Sequence, residues 1–212
     1  MMDLRTLPPI DAASFFQVSC KIAQGDSLPT KWKKQNVLPK VDDYLGEEAF
    51  ADVGMVFWPR GILLGIGVEK PFEDCFFPNV HKGDGVEIFI DTRGIENAQT
   101  MHKFCHHFVF LPKQKDGLIG VEVTRFRTED KHDLCDPINL QVTTEFFKKG
   151  YEMQIVIPDS CLFGYDPIEY PKLRFAYRIH RTEGEPMHFP LSGKDYKLES
   201  VPSLWAIVNC EV

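Results

Sequence analysis

Apolar residues recur at every second position through much of this chain, and that period limits what the chain can fold into. In residues 62–69, ILLGIGVE, Ile62, Leu64, Ile66 and Val68 share one face of an extended backbone. In 84–91, DGVEIFID, Val86, Ile88 and Ile90 share one face, and Glu87, Phe89 and Asp91 share the other. In 103–110, KFCHHFVF, Phe104, His106, Phe108 and Phe110 alternate with Lys103, Cys105, His107 and Val109. Successive side chains of a strand point to opposite sides, so this pattern specifies strands, most with one apolar face. Further strands are expected at 118–127, 139–147, 151–157, 173–180 and 204–210. Turn-forming clusters separate them: KGDG at 82–85, PKQKDG at 112–117 and KKG at 148–150. Strands at such spacing indicate an all-β antiparallel sandwich or barrel. The 17 Phe residues, against 3 Trp and 6 Tyr, suit a sheet core in which aromatic side chains pair across strands. A short helix is expected within 42–52 and a single helical turn at 159–164.

A chain of 212 residues can bury a sizeable core as one domain. Residues 50–212 carry the periodic pattern. Residues 1–49 are expected to be an N-terminal strand, SFFQVSCKI, followed by a Lys-rich wrapping extension of the same domain. The net charge is −7 and there is no basic run, which argues against nucleic acid or an anionic membrane as partner. The longest apolar stretch, GILLGIGV, is too short to span a bilayer, and the N-terminus lacks the apolar core of a secretory signal. A cytoplasmic location is therefore expected. The six cysteines are widely spaced, with no C-x-x-C, and are expected to be reduced and mostly buried.

The order of motifs is informative. GILLGIGVEKP is followed by KGDGVEIFIDTR, then GYEMQIVIPDSCL, then VPSLWAIV. This series resembles the family-9 carbohydrate-binding modules and their DOMON-like relatives. The matching residues are Gly83, Asp84, Val86, Glu87 and Asp91, then Gly150, Tyr151, Ile157 and Pro158, then Pro202 and Trp205. The resemblance spans roughly residues 50–212. It implies a jelly-roll-like β-sandwich that binds a ligand without catalysis. In such relatives the ligand is a sugar or, in some, haem.

The stretch MHKFCHHFVFLP, 101–112, raises the question of a metal. On a regular strand His106 and His107 face opposite ways, and His102 and His106 lie about 13 Å apart. Cys105 and His107 alone share a side at close spacing. A third ligand could come from KHDLCDP, where Cys135 is flanked by His132 and Asp136. The set Cys105, His107 and Cys135 is thus the candidate metal site, an alternative to the main expectation of no cofactor. Haem would need two axial ligands in an apolar pocket, and only Met101 beside the cluster offers one. Catalysis finds little support. Glu87 and Asp91 share a face about 13 Å apart, beyond the roughly 5–9.5 Å of a glycosidase pair, and no nucleophile, phosphate-loop or zinc-protease motif occurs.

The face opposite the expected core is where a ligand could bind. Gly65 and Gly67, two apart, leave a bare trough that something else must approach, either a ligand or a covering segment such as 24–45. Glu87, Asp91, Arg125, Arg127, Arg174, Arg178 and His180 fall on polar faces, and Trp58 in FWPRG could supply an aromatic platform. Trp205, in the apolar LWAIV, is expected to pack in a core. The expected function is a non-catalytic module for a carbohydrate or glycoconjugate, with Trp58, Glu87, Arg174, Arg178 and His180 as candidate ligand-binding residues. A metal- or haem-binding protein, a hydrolase or a protein-interaction module on the same sandwich are the alternatives.

Overall fold

A computed structural model describes residues 17–25, 32, 36–194 and 196–211. The chain forms two packed antiparallel sheets, as the period of two requires. The strands are β1 (Ser19–Ala23), β2 (Ala51–Trp58), β3 (Gly61–Val68), β4 (Gly85–Asp91), β5 (Cys105–Lys115), β6 (Leu118–Glu122), β7 (Gln141–Phe147), β8 (Gly150–Pro158), β9 (Lys172–His180), β10 (Met187–Phe189) and β11 (Ala206–Glu211). The larger sheet runs β1-β11-β9-β4-β5-β6, with β10 pairing β9; the smaller runs β2-β3-β8-β7. Within the larger sheet β1 alone pairs in parallel, along β11. Among the described residues the one α-helix is a single turn, α1 (Asp42–Leu45), so the helix expected within 42–52 is real but short.

The core between the sheets is built by the alternation seen in the sequence. Val86, Ile88 and Ile90 of β4, Phe108 and Phe110 of β5, and Phe175, Tyr177 and Ile179 of β9 project inward. They meet Met55 and Phe57 of β2, Ile62, Leu64 and Ile66 of β3, and Met153, Ile155 and Ile157 of β8. Each fully buried side chain of this size contributes about 1.5–3 kcal/mol. At the β5–β6 hairpin, Asp116 and Gly117 both take positive φ, 50° and 83°. That geometry matches the strand twist and favours Asp-Gly.

β3 departs from a half-buried strand, since seven of its eight residues are buried. The reason lies in the trough expected at its glycines. A Cβ on Gly54 would fall 2.1 Å from the Trp32 ring, and one on Gly65 would fall 2.2 Å from it. The indole thus lies flat on two glycines from neighbouring strands, in register as Gly54↔Gly65. The bare backbone at Gly54 and Gly65 is covered by Trp32 of the N-terminal segment, while Gly67 has no described neighbour over it. The same segment bridges Val37 to Gly54 and Gln24 to Phe57. The first residues of the expected SFFQVSCKI strand, 14–16, lie outside the described residues, as do most of 28–35.

The cysteines are not all reduced. Cys135 and Cys161 form a disulfide, while Cys20, Cys75, Cys105 and Cys210 are free thiols. The two half-cystines lie in different loops, and no local spacing signals their pairing.

The Trp32–glycine contact predicts strong coupling. Gly65→Ala should destabilise the protein by about 1–3 kcal/mol through overpacking, yet be close to neutral once Trp32→Ala has removed the ring. Urea denaturation of both single variants and the double variant measures this, and additive effects would contradict the contact.

Candidate functional site

The outer face of the larger sheet is apolar at its two ends and polar in its centre. At one end Phe89, Met101, Cys105, Ala176, Leu191, Leu198, Leu204 and Trp205 form a second buried cluster. Trp205 is 2% exposed and its Nε1 donates to the Leu198 carbonyl at 2.8 Å, so the expectation of core packing is met in this outer cluster. At the other end Cys75, Val80, Val109 and Leu111 form a third cluster. Between them β4, β5 and β9 present Glu87, His107, Arg178 and His180.

The register explains why these four meet. Glu87 is directly opposite Val109 on β5 and Arg178 on β9. His107 and His180 lie two residues further along those strands, diagonal to Glu87 and within reach of a long side chain. Glu87 Oε2 accepts from His107 Nε2 at 2.7 Å. Its Oε1 accepts from His180 Nε2 at 2.7 Å and from Arg178 Nη1 at 3.0 Å. A carboxylate oxygen only accepts, so both Nε2 atoms carry the proton. Burial alone would raise the Glu87 pKa. The bonds from His107 and His180 and the charge of Arg178 outweigh it and hold the group far below the ordinary carboxylate range. The His107 ring stacks on Phe89 with centroids 4.3 Å apart, which fixes its approach to the carboxylate.

Above this cluster is a cleft of about 540 Å³. Phe77, Val80 and Met101 contribute apolar wall, Glu87, His107 and Arg178 contribute floor, and Arg125, Arg127, Lys197 and Glu199 stand around it. Arg125 and Arg127 are exposed. Arg178 also reaches Glu199 at 3.4 Å.

Of the residues singled out from the sequence, Glu87, Arg178 and His180 are brought together here. Arg174 is elsewhere and serves the fold. It is buried, with Nε donating to the Ile95 carbonyl and Nη1 to those of Ser203 and Trp205, which holds two loops to β9. Trp58 ends β2 on the other sheet, half-buried beside Gly61, and is not among the residues lining the cleft. Phe77, Lys197 and Glu199 come from loops whose sequence has no period to mark them.

The set Cys105, His107 and Cys135 is not assembled. Cys135 is bonded to Cys161, His107 is on Glu87, and Cys105 Sγ lies 3.2 Å from His102 Nε2. The chain turns at 101–104 before β5 begins, which returns His102 to Cys105 and breaks the regular-strand spacing assumed from sequence. Among the described residues, two other groups have ligand atoms close enough for one ion: Asp91, His102 and Cys105, and His106, Glu122 and His132.

No protein-family model matches the sequence, and no curated protein matches it. Solved structures match its fold. A family-9 carbohydrate-binding module from Caldicellulosiruptor kristjanssonii in complex with cellotriose superposes with a TM-score of 0.61 at 14% identity, covering 91% of this chain and 93% of that one. The glucose complex of a family-9 module from the same organism gives 0.58 at 14% identity over 90% and 95%. A Bacteroides uniformis protein to which carbohydrate binding is attributed gives 0.59 at 11% identity over 92% and 99%. The chain therefore has the all-β sandwich fold of the family-9 carbohydrate-binding modules.

Glu87 makes the site pH-dependent. Its folded pKa lies below its unfolded value, so its stabilisation is complete above about pH 4.5 and declines as the pH falls further. Glu87→Gln should cost about 1–3 kcal/mol at neutral pH, by removing the charge that His107, His180 and Arg178 all bond. The gap to wild type should narrow by about 1.4 kcal/mol per pH unit below about pH 4.5. Urea melts of both proteins at about pH 7 and about pH 3.5 measure it, and a constant gap would contradict the ionised state.

Proposed function

We propose that this chain is a non-catalytic carbohydrate-binding module whose binding surface is the cleft over β4, β5 and β9. The observation that carries the reading is the Glu87–His107–Arg178 floor set between apolar walls. Such a mixture of few fixed polar groups and apolar surface suits a polyhydroxylated ligand. The fold shared with family-9 modules crystallised with glucose and cellotriose supports the same class of ligand.

The charges refine the class. Among the described residues lining the cleft, the cations Arg125, Arg127, Arg178 and Lys197 stand against the carboxylates Glu87 and Glu199, in a chain whose net charge is −7. Glu87 is already matched by its own three donors. The surplus is positive and favours a saccharide bearing carboxylate or sulfate groups, which arginine binds with paired hydrogen bonds. The same geometry weighs against hydrolysis. Glu87 is held ionised with both oxygens occupied, so it has no proton to donate to a leaving group, and Glu199 is paired with Arg178.

Titration calorimetry with an oligouronate and with a neutral cello-oligosaccharide tests this. The oligouronate should bind more tightly, and its affinity should fall with added salt. The double variant Arg125→Ala, Arg127→Ala should weaken it by about tenfold or more, about 1.4 kcal/mol, with no change in Tm because both side chains are exposed. Absence of binding to either saccharide, or binding untouched by the double variant, would overturn the assignment.

A further inference from the structure

We propose that His106, Glu122 and His132 form a binding site for one divalent transition-metal ion, zinc being the representative case. The site is independent of the cleft and of its carbohydrate reading. The three side chains come from β5, from the end of β6 and from the irregular segment after β6. Their ligand atoms all lie within 4.8 Å of one another. The side chains of His106 and Glu122 are 0% exposed and that of His132 is 2% exposed.

The hydrogen bonds leave a place for a cation between these groups. His132 Nδ1 lies 2.6 Å from the Lys103 carbonyl. A carbonyl only accepts, so Nδ1 carries the ring proton. A neutral His132 then turns the bare lone pair of Nε2 toward Glu122 Oε1, 2.9 Å away. Two acceptors at that distance need something between them, either a second proton or a metal ion.

The partners of Glu122 favour the metal. Oε1 is approached by His132, by His106 Nδ1 at 2.9 Å and by the Thr124 hydroxyl at 2.7 Å, while Oε2 takes the backbone N–H of Cys135 at 2.7 Å. One oxygen thus has three partners, two of them imidazoles whose centroids are 4.3 Å apart. The His106 ring, itself fully buried, also has the Phe163 backbone as a hydrogen-bonding neighbour on its far side. An ion held by both rings and Oε1 would replace the crowded contacts with bonds of about 2.0–2.2 Å, and the two 2.9 Å separations from Oε1 would need to open by only a few tenths of an ångström. The Nδ1–carbonyl bond of His132 is the usual outer support of a metal-bound imidazole. Two imidazoles and a carboxylate suit zinc and its neighbours over calcium or magnesium. An open cleft of about 580 Å³ bordered by His132 and Phe163 gives a way in.

The other group, Asp91, His102 and Cys105, needs no cation. The Phe104 N–H donates to His102 Nδ1 at 3.4 Å, leaving the ring proton on Nε2, 3.2 Å from Cys105 Sγ. The Asp91 oxygens accept the N–H groups of Arg93 and Ile95 at 2.9 and 2.8 Å.

The test uses the whole chain, stripped with a chelator and then given zinc alone. One equivalent should survive desalting and raise Tm. X-ray absorption of the zinc-loaded wild type should show a shell of nitrogen and oxygen only, with imidazole scattering. His132→Ala should reduce zinc affinity at least tenfold, while His102→Ala leaves it unchanged. No retained zinc and no rise in Tm, sulfur in the shell, or loss of binding in the His102 variant would overturn the site. The absorption measurement decides the matter even if the His132 variant does not fold.

Discussion

One buried carboxylate organises the outer face of the larger sheet. Glu87 sits on β4 and draws donors from β5 on one side and β9 on the other, so three strands are tied across their width by a single charge. An ion buried this deeply is costly unless every lone pair is matched, and here both oxygens are engaged. The carboxylate also interrupts what would otherwise be a continuous apolar surface. Loops fold onto that surface on either side of it, the Trp205 cluster at one end and the Val80 cluster at the other. The cleft is the gap between the two covers.

The two sheets handle their outer faces differently. On the smaller sheet, glycines at Gly54 and Gly65 admit the Trp32 ring, which fills part of the trough and leaves an open cleft along Gly67. On the larger sheet, charged and hydrogen-bonding groups keep the centre of the face open. The proposed binding surface uses the second arrangement, whose polar groups are fixed before any ligand arrives, which lowers the ordering cost of association.

Much of the fold was legible because it follows from the period of two. Strands expected at 62–69, 84–91 and 173–180 appear at Gly61–Val68, Gly85–Asp91 and Lys172–His180. β2 escaped because ADVGMVFW is buried at almost every position, which erases alternation. β10 is only three residues long. At the site, the sequence placed Glu87, Arg178 and His180 on polar strand faces but could not say that they meet, since register between distant strands leaves no local mark. Trp58 and Arg174 show the same limit: alternation gives a face, and neighbours decide its use. The grouping of His106, Glu122 and His132 depends on β6 ending at Glu122, five residues before the end of the expected strand at 127, which lets the chain turn back.

The most direct test of the central claim is nuclear magnetic resonance mapping of an oligouronate titration on isotope-labelled protein. Shifts concentrated on the side-chain signals of Arg178, Arg125 and Arg127 and on the backbone of β4, β5 and β9 are the predicted result. Shifts centred on Trp58 or on the open strip at Gly67, with the β4–β5–β9 face silent, would contradict it.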